Sequence, residues 1–587
     1  QSSSRSGRGL LGWAALALAA AVGGLPATAS AGGFEIPDTG ARAAGRGGAF
    51  TVGASDLTAL HYNPGSLAKF RGTTFLYNHN LVFHNTRFER APLTDAWGAD
   101  AGTTFPEVSN GRRLFPLGLF AVLATDFGLE NWTFAAGVYG PSAVGRHDYP
   151  AYGPQSFMLT NMDIVMAYYT LGAAWKLRDV FGIGLTVQYV DMMRMRYGLV
   201  TSADAPGTPL DPLPREQGSQ LVTELDLADR TGATAQLGLW YRPHRRIEIG
   251  AATRFIPVFL RPSGSVNVDK EELVSDDVRA EMGLTLPVTA RAGVRYIHPR
   301  KNGDDDLFDL ELNVVYENWS TIDAYVLKFD GRLNGQEIQD VRIDKNWRDT
   351  VSLRLGGDVN VIPQYLTLRA GGFWESAAAP LNYSHLDFPS FNRGGIGAGI
   401  TGGYRGVYLS VGFMQVFQER RQIEELYGKV HQQRPIAPCP DACNGLSGVP
   451  ANAGTFRSQF QLLNLGIEFR FAELFGRRER NRRGAEPAES TAQPAPSAPD
   501  PASEAEAPAP QVVPTNASED DLLAPAEEED DDVDVAAFQR LLQRGAAALE
   551  VDNLHRLVVD AGLLRGGREL EPCGRCRRDA DALADEV

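Results

Sequence analysis

Arginine and glutamate side chains recur at alternate positions of several segments between residues 247 and 471. A guanidinium binds a carboxylate through paired N–H donors, so these arginines are candidate ligands for the acid group of a substrate. Charges that line a protein interior also commonly pair with one another, and that alternative requires no ligand. We therefore assign none of them as a headgroup ligand. The set comprises Arg254, Arg291, Arg295, Arg354, Arg369, Glu311, Glu317 and Glu468.

The four cysteines fall in two close pairs. Cys439 and Cys443 lie in a long connection that we place outside the cell, where oxidising conditions favour a local disulfide. A metal site is the alternative, but two further ligands are not evident nearby, so we predict neither a metal nor a cofactor. Cys573 and Cys576 form a C-x-x-C pair without the βαβ pattern of a redox motif, which favours a structural disulfide or a free pair.

No catalytic motif stands out in the sequence. There is no G-x-S-x-G elbow, no H-E-x-x-H and no phosphate-binding loop, so we predict that the protein is not an enzyme. A basic patch interleaved with aromatic residues is also missing, which argues against nucleic acid as a partner. The formal net charge is −16, and much of the acidity lies near the C-terminus.

The elements that must position these side chains are fourteen short segments in which apolar and polar residues alternate. A period of two places successive side chains on opposite faces of a strand. Long and short connections also alternate, which is typical of a transmembrane β-barrel; a soluble all-β fold is the alternative. The mean hydropathy of −0.22 is compatible with a barrel, because only half of each strand would face lipid. The predicted strands are 71–83, 115–125, 131–139, 162–177, 180–197, 225–242, 244–259, 284–297, 307–319, 349–360, 364–376, 395–405, 406–418 and 455–471.

The beginning of the chain has the features of a secretory signal at residues 1–31. Arg5 and Arg8 precede an apolar stretch, and Ala29-Ser30-Ala31 provides a small-residue cleavage site. The short turns of bacterial barrels face the periplasm, so we expect both ends of the barrel to be periplasmic and the protein to lie in the outer membrane of a Gram-negative cell. Outer-membrane lipid and lipopolysaccharide are then its surroundings.

The stretch from Gly33 to Lys69 reads GFEIPDTGARAAGRGGAFTVGASDLTALHYNPGSLAK. It resembles the N-terminal hatch of the FadL/TodX family, the outer-membrane transporters of long-chain fatty acids and aromatic hydrocarbons. The resemblance rests on Gly33-Phe34, the GRGGAF segment and Tyr62-Asn63-Pro64, with Gly65 as a small departure. The resemblance extends from about residue 32 to residue 471. It implies a hatch at 32–70 inside a fourteen-stranded barrel at 71–471. From the residues alone, a Gly- and Ala-rich run can thread a lumen, and a disordered periplasmic leader is the alternative.

The resemblance also implies a ligand path. Capture would occur between the third and fourth outer loops, here 198–224 and 260–283, followed by an internal apolar pocket and movement of the hatch. Gly33, Phe34, Asn63 and Pro64 are the hatch residues that we place along this path; the alternative for Phe34 is simple packing in the lumen. Methionine and phenylalanine side chains could provide adaptable apolar surface nearby, although packing alone explains them about as well. They are Phe157, Met158, Met162, Met192, Met193 and Met195.

The end of the third predicted strand is a candidate lateral opening. Gly137 and Gly140 flank Val138-Tyr139, and Pro141 follows. Glycine weakens a strand or marks a bulge, and proline removes a ladder donor. The family resemblance implies sideways exit of the substrate at this strand. The alternative is that Gly137 only ends an ordinary strand.

About 115 residues follow the last predicted strand. Residues 472–535 begin with a cluster of arginines and continue as a Pro-, Ala- and acid-rich stretch that predicts a disordered linker. Residues 536–587 contain short apolar repeats at helical spacing and the second cysteine pair. A periplasmic protein partner for this tail is one interpretation, and unstable helices in a flexible tail are the other.

The sequence therefore predicts passive transport of a hydrophobic small molecule across the outer membrane. One alternative is a scaffold or adhesin-like binding barrel with a periplasmic interaction tail. An outer-membrane lipid hydrolase is another, which the predicted plug disfavours. Nothing in the sequence chooses between fatty acids and aromatic hydrocarbons.

Overall fold

The computed structural model describes residues 39–94, 101–111, 114–141, 146–204, 210–270, 277–301, 305–333, 335–435 and 449–475. Within these ranges, fourteen long strands pair antiparallel with their neighbours along the chain, and the first pairs with the last from Thr74↔Arg470 to Arg90↔Gly454. The sheet is therefore closed, and the prediction of a fourteen-stranded antiparallel barrel is confirmed. The strands are β1 Thr74–Arg90, β2 Leu114–Thr125, β3 Trp132–Tyr139, β4 Asn161–Leu177, β5 Phe181–Ser202, β6 Gln220–His244, β7 Ile247–Arg254, β8 Thr289–Pro299, β9 Asp306–Glu317, β10 Thr350–Ile362, β11 Leu366–Glu375, β12 Arg393–Tyr404, β13 Val407–Gln418 and β14 Gly454–Arg470.

The two faces of the barrel wall differ as the alternation predicted. On β10, Leu353 and Leu355 are 47% and 56% exposed on the outer face, whereas Ser352 and Arg354 are buried on the inner face. An apolar outer face suits lipid, and closure leaves no unpaired strand edge in the bilayer. The polar half of each strand therefore lines the interior.

Seven long connections lie at one end of the barrel, called here the loop end, and six short turns lie at the other, the turn end. The loop end carries its own short elements. The strands are Val108–Ser109, Arg146–Asp148, Val258–Leu260, Ser263–Val268, Arg279–Met282, Leu284–Leu286, Ala324–Asp330, Arg332–Leu333, Gln336–Glu337, Val341–Asp344 and Arg421–Ile423, and the 3₁₀ turns are Trp319–Thr321, Leu381–Tyr383 and Glu425–Tyr427.

Several strand ends differ from the predicted boundaries. The first strand reaches Arg90 rather than residue 83, and β5 and β6 extend to Ser202 and from Gln220. Loop segments pair with these protruding strand ends, as Ser263–Val268 does with β6. Strand pairing therefore continues beyond the residues whose apolar and polar alternation faces the membrane. Conversely, β7 ends at Arg254 rather than residue 259, shortly before Pro257, which has no N–H to donate.

The N-terminal described residues, 39–70, lie inside the barrel and are called the hatch below. They form two short helices, α1 Ala41–Gly45 and α2 Ala59–Tyr62, and a 3₁₀ segment Pro64–Lys69. Phe471, predicted as the last strand residue, instead begins the short helix α3 Phe471–Phe475. None of the helices in the described residues is long and apolar enough to cross a bilayer.

Candidate transport path

The hatch backbone lies directly against glycines of the barrel wall. A Cβ atom added at Gly371 would lie 2.1 Å from the carbonyl oxygen of Arg46. The same distance separates a Cβ at Gly397 from the Ala44 oxygen, and one at Gly412 from the Ala41 oxygen. No side chain fits at such distances, so β11, β12 and β13 accept the first turn of the hatch only because glycine occupies these positions.

Arg46 joins the hatch to the wall through charge. Its guanidinium is fully buried and lies 2.8 Å from Asp309, 3.0 Å from Glu311 and 2.6 Å from Asp358. Burial alone would lower the pKa of Arg46, but the three carboxylates raise it above its usual range, so the guanidinium stays charged. A buried charge of this kind holds its place strongly, because removing one partner leaves the others uncompensated.

Further polar contacts extend along the hatch. The backbone N–H groups of Val52 and Gly53 donate to the two carboxylate oxygens of Glu311 at 2.7 and 2.8 Å. Arg42 forms a second ion pair, 2.9 Å from Glu468 on β14. The roles of Arg42 and Arg46 were not predicted from the sequence. The available signal was the presence of two arginines in a run of small residues, together with carboxylates predicted to line the lumen.

The predicted hatch residues Asn63 and Pro64 lie where helix α2 ends and the 3₁₀ segment begins. The buried Asn63 amide donates to the Thr51 and Leu239 carbonyl oxygens, both at 2.9 Å, and its oxygen accepts from the Gly65 N–H at 3.0 Å. Pro64 begins the 3₁₀ segment, with its carbonyl against Gly184 of β5. Gly33 and Phe34 lie outside the described residues, as do Cys439, Cys443, Cys573 and Cys576.

All eight charged residues predicted on the inner face are found there. Most of them pair with other lumenal residues or with the hatch: Arg295 with Glu248 and Asp309, Arg369 with Asp358. This favours the structural interpretation for those arginines. Within the described residues, no group of three or more His, Cys, Asp and Glu side chains has a metal-binding arrangement.

The third strand is paired on both sides up to Tyr139 and no further. Its ladders end at Phe120↔Tyr139 with β2 and at Tyr139↔Tyr168 with β4. Gly140 and Pro141 follow outside the strand, and β4 next pairs with the short loop-end strand Arg146–Asp148. Between these ladders, residues 164–167 of β4 have no described pairing partner on this side. Thus Gly137, Val138 and Tyr139 belong to the wall, and the described pairing of the third strand ends there.

Hatch side chains cover the inner face of this strand. A Cβ at Gly137 would lie 3.1 Å from Leu60 Cδ2, and one at Gly172 on β4 would lie 2.6 Å from Leu60 Cδ1. The neighbouring His61 ring lies 5.5 Å from the Tyr139 ring, which also stacks on Phe120 at 4.8 Å. Leu60 therefore fills the space that the two glycines leave.

The outer face of the same wall carries a groove of about 490 Å³. Its lining residues are Leu123, Thr125, Phe127, Phe134, Ala135, Ala136, Leu171, Gly172, Ala173, Leu185 and Val187. Gly172 thus separates the groove from Leu60 inside. A second outer groove, of about 930 Å³, lies across β9 to β12, where Gly357, Ala370 and Gly372 leave space between larger apolar side chains.

Apolar side chains pack together among the described residues of the loop end. Met158, Met162, Met192 and Met195 are buried there, whereas Met193 is 38% exposed. A cavity of about 30 Å³ lies among apolar residues from several outer loops, including Val266, Leu327 and Phe329.

A buried ion pair joins two of these loops. Lys345 Nζ lies 2.6 Å from Asp387, and His385 Nδ1 lies 2.9 Å from the other oxygen of the same carboxylate. All three side chains are buried. Neither the pair nor its loop-to-loop connection was predicted from the sequence, because its members are far apart in the chain and follow no period.

A closed barrel with an apolar outer face, whose lumen is filled by its own N-terminal residues, defines a plugged transmembrane β-barrel. Comparison with known proteins identifies the family to which this barrel belongs. The family described as outer membrane protein transport protein (OMPP1/FadL/TodX) matches residues 24–435. The chain belongs to this family, as its sequence motifs predicted.

Solved structures share the fold. A Pseudomonas aeruginosa FadL homologue is 17% identical and matches 75% of this chain and all of its own, with a TM-score of 0.58. The Pseudomonas putida toluene transporter TodX is 13% identical and matches 74% of this chain and 98% of its own, with a TM-score of 0.51. No curated protein sequence matches the chain.

Proposed function

We propose that this barrel carries hydrophobic small molecules, either long-chain fatty acids or aromatic hydrocarbons, passively across the outer membrane. The observation that carries the proposal is the packing against the third and fourth strands, where the hatch side chains Leu60 and Leu67 fill the space over the glycines of the wall. We place the loop end outside the cell, so that the start of β1 at Thr74 and the end of β14 at Arg470 lie on the periplasmic side, as in bacterial barrels generally.

Capture takes place among the outer loops. The small cavity near Val266, Leu327 and Phe329 has an apolar lining, and the buried methionines lie between the loops and the lumen. Methionine side chains are flexible and polarizable, so they can repack around a substrate without a permanent empty chamber. The substrate then reaches the hatch from the loop side.

Exit proceeds sideways at the third strand. Movement of Leu60 and His61 would uncover the glycines of the wall, and the strand interruption at Gly140 and Pro141 provides the break through which the substrate passes. The outer groove over Ala136 and Gly172 receives it from the membrane side. Such movement requires the substrate to bind the displaced hatch more tightly than the docked one.

A reversible crosslink between hatch and wall tests this route. Leu60→Cys with Gly172→Cys, in a chain whose four native cysteines are replaced by serine, places two thiols at contacting positions. Vesicles holding the pure protein are supplied with labelled palmitate or toluene. We expect oxidation to reduce uptake to the level of protein-free vesicles and a reducing agent to restore it.

The matched control is Leu366→Cys with Gly402→Cys, a directly opposed pair on β11 and β12 whose glycine has no neighbour within 4 Å. This crosslink should leave uptake unchanged. Full crosslinking of the hatch with undiminished uptake would contradict the proposed route, and hydrolysis of a labelled ester without any uptake would indicate an enzyme instead.

A further inference from the structure

The larger outer groove, of about 930 Å³, runs along the membrane-facing side of β9 to β12. Gly357, Ala370 and Gly372 leave its floor without large side chains. Along β10 the groove extends from Leu353, toward the loop end, to Val359, toward the turn end. Six residues of a strand rise about 20 Å, and a tilt of about 40° reduces this to about 15 Å along the membrane normal. The groove therefore has the length of one leaflet of a hydrocarbon core about 30 Å thick.

A basic side chain lies at the turn-end edge of this groove. Arg300 Nη2 donates to the Asn360 carbonyl oxygen at 2.6 Å, and Asn360 directly follows Val359. The His298 ring, two residues before Arg300, stacks on Phe308 of the groove lining with ring centroids 4.8 Å apart. The side chain of Arg300 is only partly buried, and its Nε has no hydrogen-bond partner among the described residues. An acceptor from the membrane surface can therefore complete its hydrogen bonding.

Aromatic side chains mark the same level on the neighbouring strands. Tyr365 and Tyr404 are both more than half exposed, and their ring centroids lie 6.4 Å apart. The guanidinium of Arg405 lies over the Tyr404 ring, 5.0 Å from its centroid. Tyrosines of membrane proteins are enriched at the level of the lipid headgroups. The groove thus begins at a headgroup level that carries positive charge and continues into the hydrocarbon region.

The headgroup level also carries negative charge. Asp305 is exposed, and its carbonyl oxygen accepts from the Arg300 backbone N–H at 2.9 Å. A guanidinium binds phosphate oxygens through its fork of N–H donors, and a carboxylate attracts an ammonium group. A lipid headgroup with both a phosphate and a primary ammonium matches this pair of residues. A purely anionic headgroup matches the arginine but is repelled by the carboxylate.

We propose that the groove and its turn-end edge bind one phospholipid of the ethanolamine class, with an acyl chain along Ala370, the phosphate at Arg300 and the ammonium at Asp305. The inference rests on the proposed orientation, in which the turn end faces the periplasm and hence the phospholipid leaflet. The site lies across β9 to β12, away from the proposed exit at the third strand. The lipid is therefore a bound component of the wall and not a transported substrate.

Two phospholipids with identical dioleoyl chains test the proposal. Native mass spectrometry of the full-length protein measures binding of phosphatidylethanolamine and phosphatidylglycerol. We expect phosphatidylethanolamine to bind at least about fivefold more tightly, the scale of one charged side chain at a lipid headgroup. Arg300→Gln should weaken both lipids about fivefold, because it removes the phosphate ligand, whereas Asp305→Asn should remove only the preference. Ala370→Phe fills the groove and should prevent binding of both lipids.

The matched controls are Ala292→Phe, on the exposed outer face of β8, and Arg178→Gln, in the exposed turn between β4 and β5. Both should leave the two affinities unchanged, and heat-dependent gel mobility shows that each variant is folded. Equal affinities for the two lipids in the wild-type protein, or unchanged binding by folded Arg300→Gln and Ala370→Phe variants, would overturn the lipid site.

Two further outcomes would assign the groove to another occupant and also overturn the proposal. Tighter binding of lipid A than of either phospholipid would place the turn end in the opposite leaflet. A dimer that carries no lipid and is lost in Ala370→Phe would assign the groove to a second copy of the chain. Uptake of labelled palmitate or toluene by the same protein tests the proposed function separately, so failure of the lipid site with normal uptake leaves transport standing.

Discussion

At the scale of single residues, the hatch is held by one charge as much as by packing. Arg46 is surrounded by three carboxylates from β9 and β10, and its own backbone oxygen touches Gly371 of the wall. A short segment with many glycine and alanine residues has little apolar surface to bury, so a multiple ion pair can decide whether it stays docked.

Arg46→Met should release the hatch. The substitution removes the ion-pair partner of Glu311 and leaves Asp309 and Asp358 with Arg295 and Arg369 alone. This loss costs about 3–5 kcal/mol in a buried setting. We expect a barrel that keeps its strands but conducts small hydrophilic ions and sugars. Single-channel conductance in planar bilayers and vesicle swelling measure the effect, and the heat-dependent mobility of the folded barrel on gels shows that the wall is intact.

A second variant reaches the same state without altering a charge. Gly371→Val places side-chain atoms where the Arg46 carbonyl lies, whereas Gly402→Val, on the adjacent strand, meets nothing within 4 Å. The first should conduct and the second should not. If neither Arg46→Met nor Gly371→Val shows channel conductance, the hatch is held by other contacts.

At the scale of elements, the sequence was most informative where the environment imposes a period. Each barrel strand separates lipid from lumen, so residues such as Leu353 and Arg354 alternate and the faces could be assigned in advance. The loop-end elements have no such constraint. Their short strands pair with protruding barrel strands or with one another over long sequence separations, and local pattern does not encode such pairings.

The same reasoning explains which parts of the candidate site were predicted. Inward arginines and glutamates follow the period, so their face was predicted correctly. Among the described residues, Arg295 forms ion pairs with two carboxylates, whereas two guanidinium nitrogens of Arg291 have no hydrogen-bond partner. This difference depends on which residues the neighbouring strands and the hatch bring within reach. The described pairing of the third strand ends at Tyr139, next to Gly140 and Pro141, and whether this is an opening stays a prediction. The role of Leu60 in covering Gly137 depends on tertiary packing.

The buried Lys345–Asp387 pair fixes one loop-end element to another. Burial alone would raise the pKa of Asp387, but His385 and Lys345 hold it well below its usual range, so the carboxylate stays ionised. The lysine Nζ also lies over the Tyr325 ring, 4.8 Å from its centroid. The connection between β9 and β10 is thereby tied to that between β11 and β12.

Asp387→Asn should loosen both loops. The substitution leaves Lys345 buried without its counter-ion, at a cost of about 3–5 kcal/mol. If the loops open locally before cleavage, trypsin should cut the region around Lys345 about two to four orders of magnitude faster. Asp344→Asn is the matched control, because Asp344 pairs with Arg342 at an exposed position. Equal cleavage rates in the two variants would show that the ion pair does not hold the loops.

At the scale of the whole molecule, closure of the barrel depends on one seam. β1 and β14 pair along their full lengths, from Thr74↔Arg470 to Arg90↔Gly454, and Phe471 N–H then donates to the Thr73 carbonyl at 3.0 Å. Every residue that this seam requires lies between positions 73 and 471. The acidic tail, with its predicted linker and C-x-x-C pair, lies beyond it and outside the described residues.

A chain that ends after Phe475 should therefore insert, fold and transport as the full-length protein does. The seam, the hatch contacts and the third-strand wall all involve residues before that point, so removing the tail takes away none of their hydrogen bonds or ion pairs. Heat-dependent gel mobility reports folding, and uptake of labelled palmitate into vesicles reports transport. If the tail binds a periplasmic partner, the truncated chain should lose only the capture of that partner. Capture is measured with the tail immobilised. Slower uptake by the truncated chain in vesicles, where no partner is present, would mean that the tail acts on the barrel itself.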